Sequence, residues 1–449
     1  MKQISVLVSA IIRQIFGSQL RQNMTSGVIL MLISILTWTV SYPIYLHFLG
    51  YEKFGLWLIL AVVLGFAQLG LLGTISAITK LVAEEHEQGN LLGVESYIAM
   101  SLMTVMTTGS IVLVIILLFK ELIISAFKLG GTNADTVHWL LPYVGVLSVY
   151  VLMVQVINTV LAGLGRMDLA NYTQAVGRVV AVIISVAMLF FGKGIESLLI
   201  GNAFSYIAVH IMSFILIRRQ AKVRFLRLNS WDWGRLRRLM SFGGGVFGGM
   251  LMNLLLDPFN KLMLSRYTGV ASVTVYDIAY KTAMQIRGIG EVGFRALVPE
   301  ISRFNANMNG QANERINTIN RKAIRLILIG GLPFFGILFV FAAFILKAWL
   351  NKNFVEALTP AFRIMLVAAF VSLLGIPAFY THMGKGNVRY GFIATIIQSL
   401  LNVTIVMAYA VFAPDKIGSH IFYAIALGML ASTVYLDWQI YRDNRNVPS

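Results

Sequence analysis

The chain has no cysteine, which excludes disulfides, thiolate metal sites, cysteine nucleophiles and cysteine-ligated iron–sulfur clusters. It is also poor in charge: Asp, Glu, Lys and Arg supply 12% of its 449 residues, where an ordinary globular protein has about 25%. Acidic residues are the scarcer sign, 19 against 36 Lys and Arg. What fills the chain instead is apolar, with 58% hydrophobic residues and a mean hydropathy of +0.78. That composition excludes a soluble globular protein and places the chain in a bilayer.

A helix crossing the hydrocarbon core needs about 20 mostly apolar residues. Twelve stretches meet that length: 24–49, 54–80, 96–119, 139–163, 172–191, 196–217, 239–265, 272–298, 324–346, 358–380, 389–412 and 418–440. The expected fold is therefore an all-α membrane protein with about twelve transmembrane helices. The eighth stretch differs from the rest in carrying charge in its interior. No cleavable signal peptide is expected: Lys2, Arg13 and Arg21 are interleaved with an amphipathic stretch that reads as a surface-lying lead-in helix.

The net charge of +17 is unevenly placed: residues 1–217 hold 10 basic and 9 acidic side chains, residues 218–449 hold 26 and 10. Basic residues accumulate in cytoplasmic loops. With the N-terminus inside, 22 Lys and Arg fall on the cytoplasmic side and 8 on the other, so both termini are expected to be cytoplasmic. The longest basic run, Arg218, Arg219, Lys222, Arg224, Arg227, Arg235, Arg237 and Arg238 around a single Asp232, reads as an orientation signal facing anionic headgroups. No nucleic-acid partner is expected. The run divides the chain into an N-terminal six-helix lobe (1–217), a basic cytoplasmic linker (218–238) and a C-terminal six-helix lobe (239–449). A weak parallel repeat supports the division. Pro43, Gly50, Phe54 and Gly55 in the first half answer to Pro258, Gly269 and Tyr276 in the second, as in transporters built from two like-oriented halves.

Motifs of soluble enzymes give little. Gly288-Ile-Gly290-Glu-Val-Gly293 is a literal GxGxxG, but a dinucleotide fingerprint needs a strand before it and a helix after it, and this one lies within a membrane stretch. Glycines there favour close packing or bending. Glu84, Glu85, His86 and Glu87 read as a solvated helix end rather than a metal site. No P-loop, HExxH or hydrolase elbow is present, and no catalytic residue, cofactor or metal is expected.

The eighth stretch carries the functional signal. Asp277, Lys281, Met284, Gly288, Glu291 and Arg295 are spaced 4, 3, 4, 3 and 4, which aligns them on one helix face with Arg287 at its edge. In the seventh stretch Asn253, Asp257 and Lys261 recur every four residues, and in the fifth Asn171, Gln174 and Arg178 form a third polar stripe. A charge at mid-bilayer costs at least about 2.5 kcal/mol, so these faces must meet protein or water. Asp257–Lys261 and Asp277–Lys281 have the spacing of ion pairs. Across the two stretches the bases Lys261, Arg266, Lys281, Arg287 and Arg295 outnumber the acids Asp257, Asp277 and Glu291 by two. Cations left over in a buried cavity imply an anionic guest, and the guanidinium fork suits phosphate. The first half is lined instead by uncharged Thr37, Trp38, Thr39, Ser41, Tyr42, Tyr45, Gln68, Gln155, Asn158 and Asn202, groups that serve either for sugar rings or at membrane interfaces.

Several short segments carry a family resemblance: Gly50-Tyr51, Phe54-Gly-Leu-Trp57, Gly65-Phe66, Leu69-Gly-Leu71 and Lys80 with Ala83-Glu84; then Leu161-Ala-Gly-Leu-Gly-Arg166, Asn171-Tyr172, Asp257-Pro258, Asn260-Lys261, Tyr276-Asp277 and Ala279-Tyr-Lys281. Spread over most of the first 300 residues, they resemble the polysaccharide and O-antigen flippases of the multidrug/oligosaccharidyl-lipid/polysaccharide (MOP) exporter superfamily. The resemblance implies a MATE-like exporter with two six-helix lobes around a central cavity. It further implies an inner-membrane, non-enzymatic carrier of a polyprenyl-pyrophosphate-linked oligosaccharide, working by alternating access beside polysaccharide polymerase machinery. Lys261, Lys281, Arg287 and Arg295 would hold the pyrophosphate, with Arg178 at the cytoplasmic entrance. Asp257, Asp277 and Glu291 would couple a proton or sodium gradient or serve as ion-pair partners. Two alternatives remain open: an ion-coupled multidrug exporter of the MATE type, which would call for buried acids in excess, and a membrane glycosyltransferase or polymerase. The second is disfavoured because the longest outer loop, 120–138, is short and lacks an evident acid/base pair.

Overall fold

The computed structural model describes residues 19–67, 71, 73–221, 223, 232–294, 297, 301 and 311–445. The lead-in segment before residue 19, Gln68, the linker residues Lys222, Arg224 and Arg227, and Arg295 lie outside the described residues, as does the side chain of Asn253. Every element among the described residues is helical, and none is a strand. The described chain divides into two compact units: Met1–Leu49, Leu60–Ser125 and Gly130–Leu251 form the first, and Gly50–Ile59, Ala126–Leu129 and Met252–Ser449 the second.

The first unit is built from α1 (Gln19–Ala67) apart from its Gly50–Ile59 stretch, α2 (Thr74–Glu87), α3 (Leu91–Leu118), α4 (Lys120–Ala126) up to Ser125, α5 (Thr132–Gly163), α6 (Met167–Phe190), α7 (Glu196–Ala221) and the start of α8 (Trp233–Thr268). Gly50 breaks α1 at φ 68 and ψ 178, a backbone state that side chains with a Cβ strongly disfavour. The stretch expected to form one span over 54–80 is interrupted at Gly73, left-handed at φ 73, after which a new helix starts at Thr74. Asn90 caps α3 by accepting from the backbone N–H of Gly93 at 3.1 Å. Ile78, Leu81, Val94, Ile98, Leu152, Val156 and Leu161 form a buried core shared by α2, α3 and α5. α6 and α7 meet through small residues: a Cβ on Gly201 would overlap Ser185, and one on Gly177 would press on Val209. Such close approach is how helices gain packing energy where lipid removes the hydrophobic drive.

The second unit holds the rest of α8, α9 (Val270–Phe294), α10 (Gln311–Leu326), α11 (Leu332–Val340), α12 (Ala342–Leu350), α13 (Leu358–Leu374), α14 (Ile376–Gly384), α15 (Val388–Phe412) and α16 (Ile417–Arg445). Between α10 and α11 the helix widens to a π turn over Ile327–Gly331, ahead of Pro333, whose ring crowds the carbonyl four residues back. The literal GxGxxG falls inside α9, where a Cβ on Gly290 would lie 3.1 Å from Leu373 of α13. Its role is helix packing.

Nine helices among the described residues are long and apolar enough to cross a membrane. The first, Arg21–Phe66, has 46 residues, enough for two crossings. α9 is not among the nine because Asp277, Lys281, Arg287 and Glu291 sit in its body.

Candidate functional site

The last turns of α8 and the middle of α9 bring four charged side chains into one chain of contacts within the second unit. Lys261 Nζ lies 2.9 Å from Asp257 Oδ2, one helical turn back, and 3.0 Å from Asp277 Oδ1 on α9. Asp277 Oδ1 is also 3.0 Å from Lys281 Nζ. The sequence Asp257–Lys261–Asp277–Lys281 therefore alternates in sign. Its inner members are shielded, with Lys261 4% and Asp277 0% exposed at the side chain, while its ends, Asp257 at 38% and Lys281 at 40%, are reachable. Tyr276 donates to Asp257 Oδ1 at 3.1 Å and stacks on Tyr280 with ring centroids 5.5 Å apart.

Farther along α9, Arg287 NH1 donates to Glu291 Oε2 at 3.0 Å, and the hydroxyl of Tyr380 on α14 donates to Glu291 Oε1 at 2.8 Å. Each of Lys261, Lys281 and Arg287 thus touches a carboxylate. The cationic surplus read from the sequence does not fall within this array: Arg266 is exposed at the end of α8, donating to the carbonyl of Ala126, and Arg295 lies outside the described residues. Tyr380 was not foreseen, because no spacing rule connects residues 89 positions apart.

A second polar region lies wholly within the first unit. Gln155, Asn158, Gln174, Arg178, Asn202 and Tyr206 line a cavity of about 470 Å³ between α5, α6 and α7. Its floor is hydrogen-bonded: Asn158 Nδ2 donates to Ser213 Oγ at 3.0 Å, and Gln174 Nε2 donates to Asn158 Oδ1 at 2.9 Å. Arg178 stands midway along the 24 residues of α6, and none of the cavity's described lining residues is acidic. The third member of the α6 stripe, Asn171, is used structurally, donating to Ser26 Oγ of α1 at 2.9 Å.

Other sequence features resolve as structure. Arg166 grips Asp168 through Nε at 3.0 Å and NH2 at 2.9 Å, and Gln19 donates to the same carboxylate at 2.9 Å. The acidic end of α2 is a set of partners rather than a metal site: Glu84 pairs with Arg238 at 2.6 Å and Glu85 accepts from Asn90 at 2.6 Å. No group able to hold a metal ion occurs among the described residues. In the 120–138 segment the structure does pair Glu121 with His138 at 3.3 Å, an acid and an imidazole that the linear sequence did not join.

The chain belongs to the polysaccharide biosynthesis protein family, whose pattern it matches over residues 20–305. A Shigella flexneri protein named for O-antigen transport is 18% identical over 343 residues, covering 76% of this chain and 78% of that protein. Several solved structures share the fold. An inward-facing multidrug resistance MATE family transporter of the MOP superfamily superimposes with a TM-score of 0.71 at 15% identity, covering 93% of this chain and 96% of the other. The lipid II flippase MurJ in an inward closed conformation does so with a TM-score of 0.71 at 14% identity, covering 92% and 87%. The protein is thus a multi-pass membrane protein with the MATE- and MurJ-like fold.

Proposed function

We propose that this protein is a flippase, carrying a polyprenyl-pyrophosphate-linked oligosaccharide from the cytoplasmic to the outer leaflet of the inner membrane for surface polysaccharide synthesis. Family membership, the O-antigen transport relative and the fold shared with a lipid II flippase support this reading over a catalytic one. The observation that carries it is the character of the interior. Among the described residues a cavity in the first unit is lined by an arginine and no acid, and the second unit presents Lys281 and Arg287 at the reachable margin of an ion-pair array. A carrier of cationic drugs would call for the reverse sign. The pyrophosphate would engage Lys281 and Arg287 first, with Arg295 extending the same face. Lys261, held between two carboxylates, would fix the array and meet phosphate only as those contacts loosen.

A phosphate that draws Arg287 from Glu291 leaves a carboxylate without its cation. Its charge would then be open to another cation, and coupling to a proton or sodium gradient through Asp257, Asp277 or Glu291 would arise in this way.

Reconstituted liposomes loaded with a short-chain polyprenyl-pyrophosphate oligosaccharide test the reading. Wild-type protein should flip the lipid. Lys281→Gln and Arg287→Gln should each slow flipping by about tenfold or more, the loss of one charge-assisted contact of roughly 1.5–3 kcal/mol, while melting as cooperatively as wild type. Full rates in both variants would remove these residues from the site, and no flipping by wild type would overturn the proposal.

A further inference from the structure

The cavity of the first unit is furnished differently from a phosphate site. Its polar walls are the side-chain amides of Gln155, Asn158, Gln174 and Asn202, the hydroxyl of Tyr206 and one guanidinium, that of Arg178. A volume of about 470 Å³ lies within the roughly 300–1,000 Å³ of small-molecule sites. Amides both donate and accept, which suits the mixed demands of ring hydroxyls.

Charge decides the rest. Among the described lining residues Arg178 is the only charged group, and it stands half-way along a helix of membrane-crossing length. The Arg178 side chain is exposed in the open cavity, so a neutral sugar settling over it would strip water from the guanidinium without supplying a counter-charge. A pyrophosphate, ionised on both phosphoryl groups, would bring more negative charge than one arginine balances. A single carboxylate matches the guanidinium in charge and in its two-pronged geometry. The floor is held ready for it: Asn158 is fixed by Ser213 and Gln174, so little ordering remains to be done when a ligand arrives.

We propose that this cavity binds a monoanionic, carboxylate-bearing sugar unit of the glycan, with Arg178 on the carboxylate and the amides of α5, α6 and α7 on the ring hydroxyls. The proposal rests on the flippase reading and names one component of its cargo. It separates Arg178 from the pyrophosphate.

Ligand-observed NMR on the full-length protein in lipid nanodiscs tests it, with methyl β-D-glucuronide, methyl β-D-glucoside and inorganic pyrophosphate as probes. The glucuronide should bind at least about tenfold more tightly than the glucoside, as expected for one charge-assisted bidentate pair. Arg178→Gln should abolish that preference, and Arg178→Lys should keep part of it by retaining the charge without the fork. Asn202→Ala should weaken both sugars alike. Equal binding of the two sugars to wild type, an undiminished preference in Arg178→Gln, or displacement of the glucuronide by equimolar pyrophosphate would each overturn the proposal. Because binding is read without transport, discrimination between the sugars by a protein that flips nothing would sink the flippase reading alone. Flipping without discrimination would sink only this one.

Discussion

Lys261 Nζ lies 3.0 Å from Asp277 Oδ1, joining α8 to α9 through two side chains that are almost fully buried. Neither partner depends on the other alone, since Lys261 also reaches Asp257 and Asp277 also reaches Lys281. The buried centre rests on Asp277, the acid that both lysines share. Asp277→Leu should therefore be severe, leaving two ammonium groups without their shared acid at a cost of about 3–5 kcal/mol. Asp277→Asn, which keeps hydrogen-bonding capacity, should cost less. Thermal melting in detergent checks both, and equal melting of Asp277→Leu and wild type would show that the array does not stabilise the fold.

Glu291→Gln should act on anion binding more than on stability. Arg287 would lose its carboxylate and Tyr380 would keep an oxygen to donate to. The expected outcome is tighter competition by inorganic pyrophosphate, by about tenfold, and flipping that responds less to a proton gradient. Unchanged affinity together with unchanged gradient dependence would count against Glu291 as the coupling group.

Asp168 ties α6 to α1 by accepting from Arg166 and from Gln19 at the start of α1 while its own backbone N–H donates to Asn23. Asp168→Ala should lower stability by about 1.5–3 kcal/mol, because the partly exposed Arg166 guanidinium loses the nearly buried carboxylate it donates to. It should also open the chain near residues 19–23 to proteases. Melting and limited proteolysis measure the two effects.

Glycines divide by surroundings. Gly201→Val should destabilise by about 1–3 kcal/mol through overpacking against Ser185 and the Ala181 carbonyl. Gly65→Ala, with nothing within 4 Å of the new Cβ, should stabilise its helix by about 0.5–1 kcal/mol. If both substitutions shift melting alike, the α6–α7 packing described above is wrong.

Much of this was legible in the sequence because lipid enforces simple rules. Long apolar runs become helices since no other backbone state satisfies its own hydrogen bonds. The 4-3-4 spacing of Asp277, Lys281, Met284, Gly288 and Glu291 needed only helical geometry, and so did the Asp257–Lys261 pair. What the linear pattern could not supply was pairing between elements. That Lys261 leans across to Asp277, that Tyr380 caps Glu291, and that Gln174 turns to Asn158 while Arg178 faces a cavity are decisions of helix rotation, settled by packing. The break in the second stretch was hidden for a related reason: Gly73, at φ 73, interrupts a run whose hydropathy barely changes.

Gly50–Ile59 and Ala126–Leu129 precede the basic linker in the chain, yet they are counted with the second unit. There Thr274 Oγ1 donates to the Tyr51 carbonyl, Tyr51 donates to the Asn353 carbonyl and Ser265 donates to the Phe127 carbonyl, each at 2.7 Å. A gene severed in the linker would therefore encode one fragment that carries pieces of the other's interior. The C-terminal fragment expressed alone would expose hydroxyls made to be covered, and a chimera that swaps halves between relatives would have to transplant these two short segments with the half that follows them. The natural joint for shuffling this protein is not the place where the chain itself is loosest in sequence.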